Sequence, residues 1–151
     1  MDKMETRIQI QTIQPQAYKA MYALEGYLQT SQLTKTHKEL IKIRASQING
    51  CAFCLAMHTK DALKAGETAE RIFLLSAWKE TRLFTEEEKV VLALTEEITL
   101  IQNHGVADTT YQRALETFDE TYLAQLIMAI VTINAWNRIA ISTRLEPYPA
   151  A

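Results

Sequence analysis

The sequence is poor in several residue types, and each scarcity excludes a class of protein. Four Gly and three Pro among 151 residues exclude collagen-like and low-complexity chains. Sixteen basic and eighteen acidic residues give a formal net charge of −2, whereas nucleic-acid-binding proteins normally carry a basic surplus. With 48% hydrophobic and 23% charged residues, the chain is too apolar to be disordered. A single domain over residues 1–151 is therefore the simplest prediction.

No apolar stretch predicts a secretory signal or a membrane span. Residues 1–5 are mostly charged and contain no apolar core, which argues against a signal peptide. The most apolar stretch, residues 123–131, is interrupted by Gln125, and it is too short to cross a bilayer. We therefore expect a cytoplasmic protein without a membrane partner.

Hydrophobic periodicity predicts an all-α fold of about six or seven helices. The predicted helices begin near Gln16, Leu33, Asn49, Thr68, Thr85, Asp108 and Asp119. Residues 7–14 alternate polar and apolar side chains before Pro15, and we expect them to form a short extended N-terminal arm. The last helix, over about residues 119–145, is apolar almost all round, which predicts burial in a core or a subunit interface. His37 and His104 are expected on the surface.

Cys51 and Cys54 are the two cysteines of the chain, and both lie on the third predicted helix. In a reducing compartment such a pair is more typical of a catalytic or metal-binding site than of a structural disulfide. Residues three and four apart share one face of a helix, so Cys51, Cys54 and His58 converge on a small volume. A disulfide across so short a loop would stabilise the fold by only about 2 kcal/mol in the chain-entropy model. This favours redox cycling over structural bracing.

The residue types leave open which sulfur is the more reactive. Asn49 is predicted to cap the third helix, so Cys51 lies in its first turn, where free N–H groups and the helix dipole stabilise a thiolate. His58 lies one turn beyond Cys54 and can accept the proton of that sulfur. Glu39 precedes Cys51 by twelve residues, and a chain reversal after Asn49 would bring its carboxylate to His58. There it would orient the imidazole and raise its basicity.

The spacing of Glu39, Cys51, Cys54 and His58 resembles that of the alkylhydroperoxidase AhpD-like proteins within the carboxymuconolactone decarboxylase family. The flanking segments that are also similar are residues 46–51, 78–84 and 133–138. The resemblance covers most of the chain, about residues 15–141. It implies an all-helical fold that assembles into a homo-trimer or homo-hexamer. It also implies a thiol-dependent peroxidase or disulfide oxidoreductase activity that needs no cofactor.

The same resemblance implies a role for each residue. Cys54 would attack the peroxide, and Cys51 would resolve the resulting sulfenic acid as an intramolecular disulfide. His58 and Glu39 would relay protons, directly or through a water molecule. The implied partners are a hydroperoxide substrate and an external dithiol or a protein reductant. The chain departs from well-known AhpD enzymes at Phe53, where those enzymes carry a further histidine, and this departure predicts weaker peroxidase turnover.

Two other interpretations remain open on these residues. In the first, a non-enzymatic helical assembly binds zinc through Cys51, Cys54 and His58, with Glu39 or another histidine as a fourth ligand. In the second, the protein is a non-redox member of the family that acts on a small carbonyl substrate.

Aromatic and polar residues near the two ends of the chain are assigned to packing. They are Tyr18, Tyr22 and Tyr27 on the first helix, and Asn134, Trp136, Asn137 and Arg138 on the last. For the first group we expect core or interface contacts rather than contact with substrate. For the second we expect packing and helix-end hydrogen bonds rather than catalysis.

Overall fold

The computed structural model describes residues 7–148 as an assembly of eight α-helices and one 3₁₀ segment, without a β-strand in that range. The α-helices are α1 (Ile10–Ile13), α2 (Pro15–Gln29), α3 (Lys35–Asn49), α4 (Ala52–Lys64), α5 (Ala69–Leu74), α6 (Glu86–Thr99), α7 (Asp108–Thr117) and α8 (Glu120–Thr143). The 3₁₀ segment, Leu75–Glu80, directly follows α5. The predicted all-α class is confirmed, and the seven predicted helices correspond to α2 through α8.

The N-terminal arm is extended only as far as Gln9. Arg7 donates its backbone N–H to the C-terminal end of α8 at 3.1 Å. Residues 10–13 then form one helical turn, so the extended segment predicted over residues 7–14 is wrong for this part. With no strand beside it in the described range, the backbone forms local hydrogen bonds instead. The amide of Ile13, for example, donates to the carbonyl of Gln9 at 3.1 Å.

Side-chain caps begin several of the helices. The caps that accept a backbone N–H are Thr34, Thr68, Thr85 and Asp119, at the starts of α3, α5, α6 and α8. At Thr85 the side chain of Glu88 also accepts the N–H of the cap at 2.8 Å, which completes a capping box. Each cap satisfies a donor that the helix itself cannot pair.

Helix α3 lies at the centre of the fold and packs against α4, α6 and α8. One buried cluster joins α2, α3, α6, α7 and α8, and a second joins α3, α4, α5, the 3₁₀ segment and α6. A third and smaller cluster contains Cys51, Cys54 and Ala140, so the start of α4 meets the C-terminal half of α8. This contact positions the site described below.

Helix α8 is long and apolar enough, by length and composition, to cross a membrane. It packs against α2, α3, α4, α6 and α7 instead. Its buried residues are Leu123, Leu126, Ala129, Ile130, Thr132, Ile133, Asn137, Ala140 and Thr143. The apolar character of α8 is therefore that of a core helix, as predicted, and the fold is not membrane-embedded.

Candidate active site

The two cysteines lie at the N-terminus of α4, directly after a left-handed turn at Gly50. Cys51 is itself the N-cap, and its Sγ accepts the backbone N–H of Cys54 at 3.4 Å. Asn49, which was predicted to be the cap, is the last residue of α3. The free N–H groups and the positive dipole end of α4 therefore act directly on the sulfur of Cys51.

Both sulfurs are buried and close together. Cys51 is 1% and Cys54 is 2% exposed, both are free thiols, and their Sγ atoms are 2.7 Å apart. The S–S bond of a disulfide is about 2.05 Å long, so a bond between them requires only a small movement. The predicted convergence of the two sulfurs on one helical turn is confirmed.

The negative charge of the reduced pair is placed on Cys51. A hydrogen bond from the thiol of Cys54 lowers the pKa of Cys51 to about 7 against the effect of burial, and the backbone N–H of Cys54 acts in the same direction. The same hydrogen bond raises the pKa of Cys54, and burial raises it further. Cys51 is thus the more acidic of the two thiols, as the argument from the helix dipole predicts.

A cavity of about 420 Å³ lies beside the pair, and its wall includes Cys54 and His58 but not Cys51. The larger apolar and aromatic groups around it are Tyr18, Tyr22, Phe53, Met57, Trp136 and Ile139. The indole of Trp136 donates to Glu25 at 2.9 Å and thereby ties α8 to α2. Cys54 is therefore the sulfur that a ligand in the cavity would meet. Sequence analysis missed the aromatic wall, because the tyrosines of α2 were assigned to packing alone.

His58 is 9% exposed, and its surroundings disfavour the charged imidazolium. Burial and the charge of Lys42 lower the pKa of His58 to about 4, while Asp61 acts in the opposite sense. The prediction of a raised basicity is wrong, because desolvation of the charged ring outweighs the neighbouring carboxylate. His58 is therefore neutral at neutral pH.

Glu39 does not hydrogen-bond to His58. Its Oε1 lies 3.8 Å from Nζ of Lys42, and burial raises the pKa of the carboxyl group. Glu39 Oε2 and His58 Nδ1 are both buried, and neither has a hydrogen-bond partner within residues 7–148. Glu39 also lines a separate polar cavity of about 400 Å³. The fold thus places Cys54 and His58 on the wall of one cavity, with Cys51 beside Cys54 and without a direct bond from Glu39 to His58.

A chain of hydrogen-bonded amides, of which Asn137 is buried and Asn49 and Asn134 are half-buried, connects α3 to α8 near the cysteine pair. Asn137 is 0% exposed, its Oδ1 accepts from Asn49 at 2.9 Å, and its Nδ2 donates to Ser46 at 3.0 Å. Asn49 also donates to Asn134 at 3.0 Å. Asn137 therefore packs in the core, as predicted, and its hydrogen bonds join α8 to the C-terminal end of α3. Two asparagines three residues apart in an apolar helix were the available signal, because buried amides need partners.

The described part of the chain contains no group of three or more His, Cys, Asp or Glu side chains arranged to hold a metal ion. This finding contradicts the zinc interpretation of Cys51, Cys54 and His58.

Two relatives resemble the chain over nearly its full length. YdfG of Bacillus subtilis (strain 168), an uncharacterized protein, is 47% identical over 139 residues, which cover 92% of this chain and 95% of YdfG. The crystal structure of ATU0492 from Agrobacterium tumefaciens, a protein of unknown function whose name relates it to the antioxidant defence protein AhpD, has a TM-score of 0.92. It is 38% identical, and the match covers 97% of this chain and 100% of that one.

An alkylhydroperoxidase AhpD core from Ralstonia eutropha JMP134 shares the fold, with a TM-score of 0.71 at 17% identity. That match covers 91% of this chain and 74% of the other. The fold is therefore AhpD-like. The chain belongs to the carboxymuconolactone decarboxylase family, whose sequence profile matches residues 15–97.

Proposed function

We propose that the protein is a thiol-dependent peroxidase that reduces hydroperoxides through the Cys51–Cys54 couple. The observation that carries this proposal is the position of the sulfurs, which are 2.7 Å apart, with Cys54 and His58 on the wall of a cavity of about 420 Å³. The AhpD-like fold and the name of one relative support chemistry of this peroxidase-related kind.

Movement of a single proton between the two sulfurs converts the resting pair into the pair that attacks the peroxide. In the resting pair Cys51 holds the charge and Cys54 holds the proton. Transfer of that proton to Cys51 leaves a thiolate on Cys54, the sulfur beside the cavity. The helix dipole favours a thiolate on Cys51, and the neighbouring His58 favours a thiolate on Cys54. In this proposal both thiolates occur, the first before the proton transfer and the second after it.

In this proposal the thiolate of Cys54 attacks the terminal oxygen of the hydroperoxide and breaks the O–O bond. The products are a sulfenic acid on Cys54 and an alkoxide, which takes up a proton and leaves as the alcohol. The sulfur of Cys51 then attacks the sulfur of Cys54 and forms the disulfide, and the hydroxyl group takes up a proton from the solvent and leaves as water. The substrate gains the two electrons that the pair loses. An external dithiol or a protein reductant returns the pair to two thiols, and the cycle needs no cofactor.

His58 and Glu39 carry protons in the same proposal. The pKa of His58 is lowered to about 4, so the imidazole is neutral and takes the proton of the pair only in passing, as that proton moves to the much more basic alkoxide. Nδ1 of His58 and Oε2 of Glu39 are buried and have no hydrogen-bond partner among the described residues, and such atoms are the usual partners of buried water molecules. Phe53, on the cavity wall, contributes no proton donor, which is consistent with the weak turnover expected for this chain.

Thiol counting tests the proposal. Folded, reduced protein is treated with hydrogen peroxide or tert-butyl hydroperoxide, and the remaining thiols are counted by mass spectrometry after alkylation. We expect the wild type to lose both thiols, Cys54→Ser to lose none, and Cys51→Ser to accumulate a sulfenic acid that dimedone traps. His104→Gln, on the exposed surface, is the control and should behave as the wild type. Survival of both thiols in excess peroxide would contradict the proposal.

A further inference from the structure

The amide chain near the cysteine pair has one consistent orientation, which is set at Asn134. The side chain of Asn134 lies 2.9 Å from the carbonyl of Ile130 and 2.9 Å from the guanidinium of Arg138. A carbonyl only accepts hydrogen bonds, and a guanidinium only donates them. Nδ2 of Asn134 therefore faces Ile130, and its Oδ1 faces Arg138.

The orientation of Asn134 determines those of Asn49 and Asn137. Oδ1 of Asn134 also accepts from Asn49 at 3.0 Å, so the atom that Asn49 presents is Nδ2. The same Nδ2 lies 2.9 Å from the amide of Asn137, which must present Oδ1 to it. The nitrogen of Asn137 consequently faces the opposite way, toward Ser46 at 3.0 Å.

The packing of α8 on α4 brings this nitrogen to the cysteines. Ala140, three residues after Asn137 on α8, lies in one buried cluster with Cys51 and Cys54. Asn137 is itself fully buried, and Ser46, which accepts from its nitrogen, also accepts the backbone N–H of Cys51 at 3.0 Å. An asparagine side chain carries two N–H groups, so one can serve Ser46 while the other serves the pair.

We propose that Asn137 is a positioning residue of the thiol pair, which directs an amide N–H at the sulfurs and stabilises the one that carries the negative charge. The interaction with Asn137 lowers the pKa of Cys51 and that of Cys54. A donor that reaches both sulfurs stabilises the charge before and after it moves from Cys51 to Cys54. The inference deepens the proposed peroxidase function and rests on it, but its test uses no peroxide.

Asn137→Asp is the sharpest variant, because it replaces an N–H donor with a carboxylate oxygen of similar size. We expect the midpoint of the thiolate titration, followed by ultraviolet absorbance in the reduced protein, to rise by about 1–2 pH units. Ser46→Ala is the matched control, since it removes the other partner of the same nitrogen and leaves the N–H that serves the sulfurs. Its titration should match that of the wild type. An unchanged midpoint in Asn137→Asp, or an equal shift in both variants, would overturn the proposal.

A second measurement uses the wild-type chain and does not depend on the folding of any variant. The side-chain amide signals of Asn137 and Asn134 are followed by NMR through the same pH titration. We expect the signals of Asn137 to shift with the thiolate midpoint, and those of Asn134, which is bonded to Thr99 and Ile130, to shift much less. Amide signals of Asn137 that stay constant while the thiol titrates would refute the assignment. If the thiol pKa values shift as expected but the protein does not react with peroxide, the result would instead count against the proposed function alone.

Discussion

Cys51 combines two roles in one side chain, since it caps α4 and carries the charge of the reduced pair. N-caps are usually Ser, Thr, Asp or Asn, whose oxygen accepts a backbone N–H. Here the sulfur of Cys51 accepts the N–H of Cys54, so the helix terminus stabilises a thiolate on the sulfur that does not line the cavity. The cavity lies beside the other sulfur. Charge and access are thus divided between two residues, and in the proposed cycle a single proton transfer connects them.

The lowered pKa of His58 predicts a fold that loses stability in acid. The pKa is about 4 in the fold against 6.5 for the free side chain. The fold favours the neutral ring of His58. The contribution of this ring to the free energy of unfolding is therefore complete above pH 6.5 and is lost as the pH falls from 6.5 toward 4. We expect this group to contribute about 3 kcal/mol to the loss. Urea unfolding of the wild type and His58→Gln at a series of pH values measures it.

The control for this prediction is His104→Gln, because His104 lies on the exposed surface. It should lose stability in acid as the wild type does, whereas His58→Gln should lose about 3 kcal/mol less over the same range. If His58→Gln and the wild type have parallel stability curves, the imidazole is not held neutral by burial.

At the scale of elements, the site depends on the reversal between α3 and α4. Gly50 has φ 69°, and the N–H of Cys51 then returns to the carbonyl of Ser46 at 3.0 Å. This left-handed ending stops α3 and starts α4 with a cysteine as its cap. It also leaves Asn49, the last residue of α3, facing the asparagines of α8.

Gly50→Ala tests the requirement for this backbone conformation. We expect a loss of about 1–2 kcal/mol of unfolding free energy, because an L-residue with a side chain is strained in the left-handed region. A Cβ at this position would meet no atom within 4 Å, so a steric clash would not contribute. Urea unfolding at neutral pH measures the change.

Gly26→Ala is the matched substitution in an ordinary helical position. Gly26 lies inside α2, and a Cβ there would also meet nothing within 4 Å. We expect this variant to gain about 0.5–1 kcal/mol, because alanine is the better helix former. A loss of unfolding free energy in Gly50→Ala and a gain in Gly26→Ala would isolate the effect of φ. A gain in Gly50→Ala would contradict the explanation.

At the scale of the whole molecule, α8 is both the main core helix and a source of exposed apolar surface. Val131 and Ile141 on α8 are 44% and 45% exposed, although most of the helix faces α2, α3, α4, α6 and α7. Other large apolar side chains exposed elsewhere include Ile8, Ile13, Leu63, Phe73 and Ile101. Exposed apolar residues that form a contiguous area are typical of subunit contacts.

Assembly into a homo-trimer or homo-hexamer stays a prediction, drawn from the family resemblance. We expect size-exclusion chromatography with light scattering to give three or six times the mass of one chain. Dilution over a wide concentration range should leave that mass unchanged if the interface is stable. A constant mass equal to that of one chain would show that the exposed apolar residues serve no homo-oligomer.

The outcome for single residues shows where sequence reasoning succeeded and where it failed. Local rules placed Cys51, Cys54 and His58 near one another, because spacing along one helix determines which side chains share a face. His37 was expected on the surface, yet it is 5% exposed and its Nδ1 lies 2.7 Å from the hydroxyl of Tyr122 on α8. No local rule locates that contact, since the two residues are far apart in the chain.

The sequence by itself determined the helical class, the order of the seven helices from α2 to α8 and the pairing of two sulfurs on one turn. These features follow from periodicity and spacing, which act over a few residues. Only the tertiary structure decided that Cys54 faces the cavity, that His58 has a lowered pKa and that Asn137 bonds to Asn49 and Ser46 in the core. Each of these depends on desolvation or on partners from another helix, and both are set by how distant segments pack rather than by neighbouring residues.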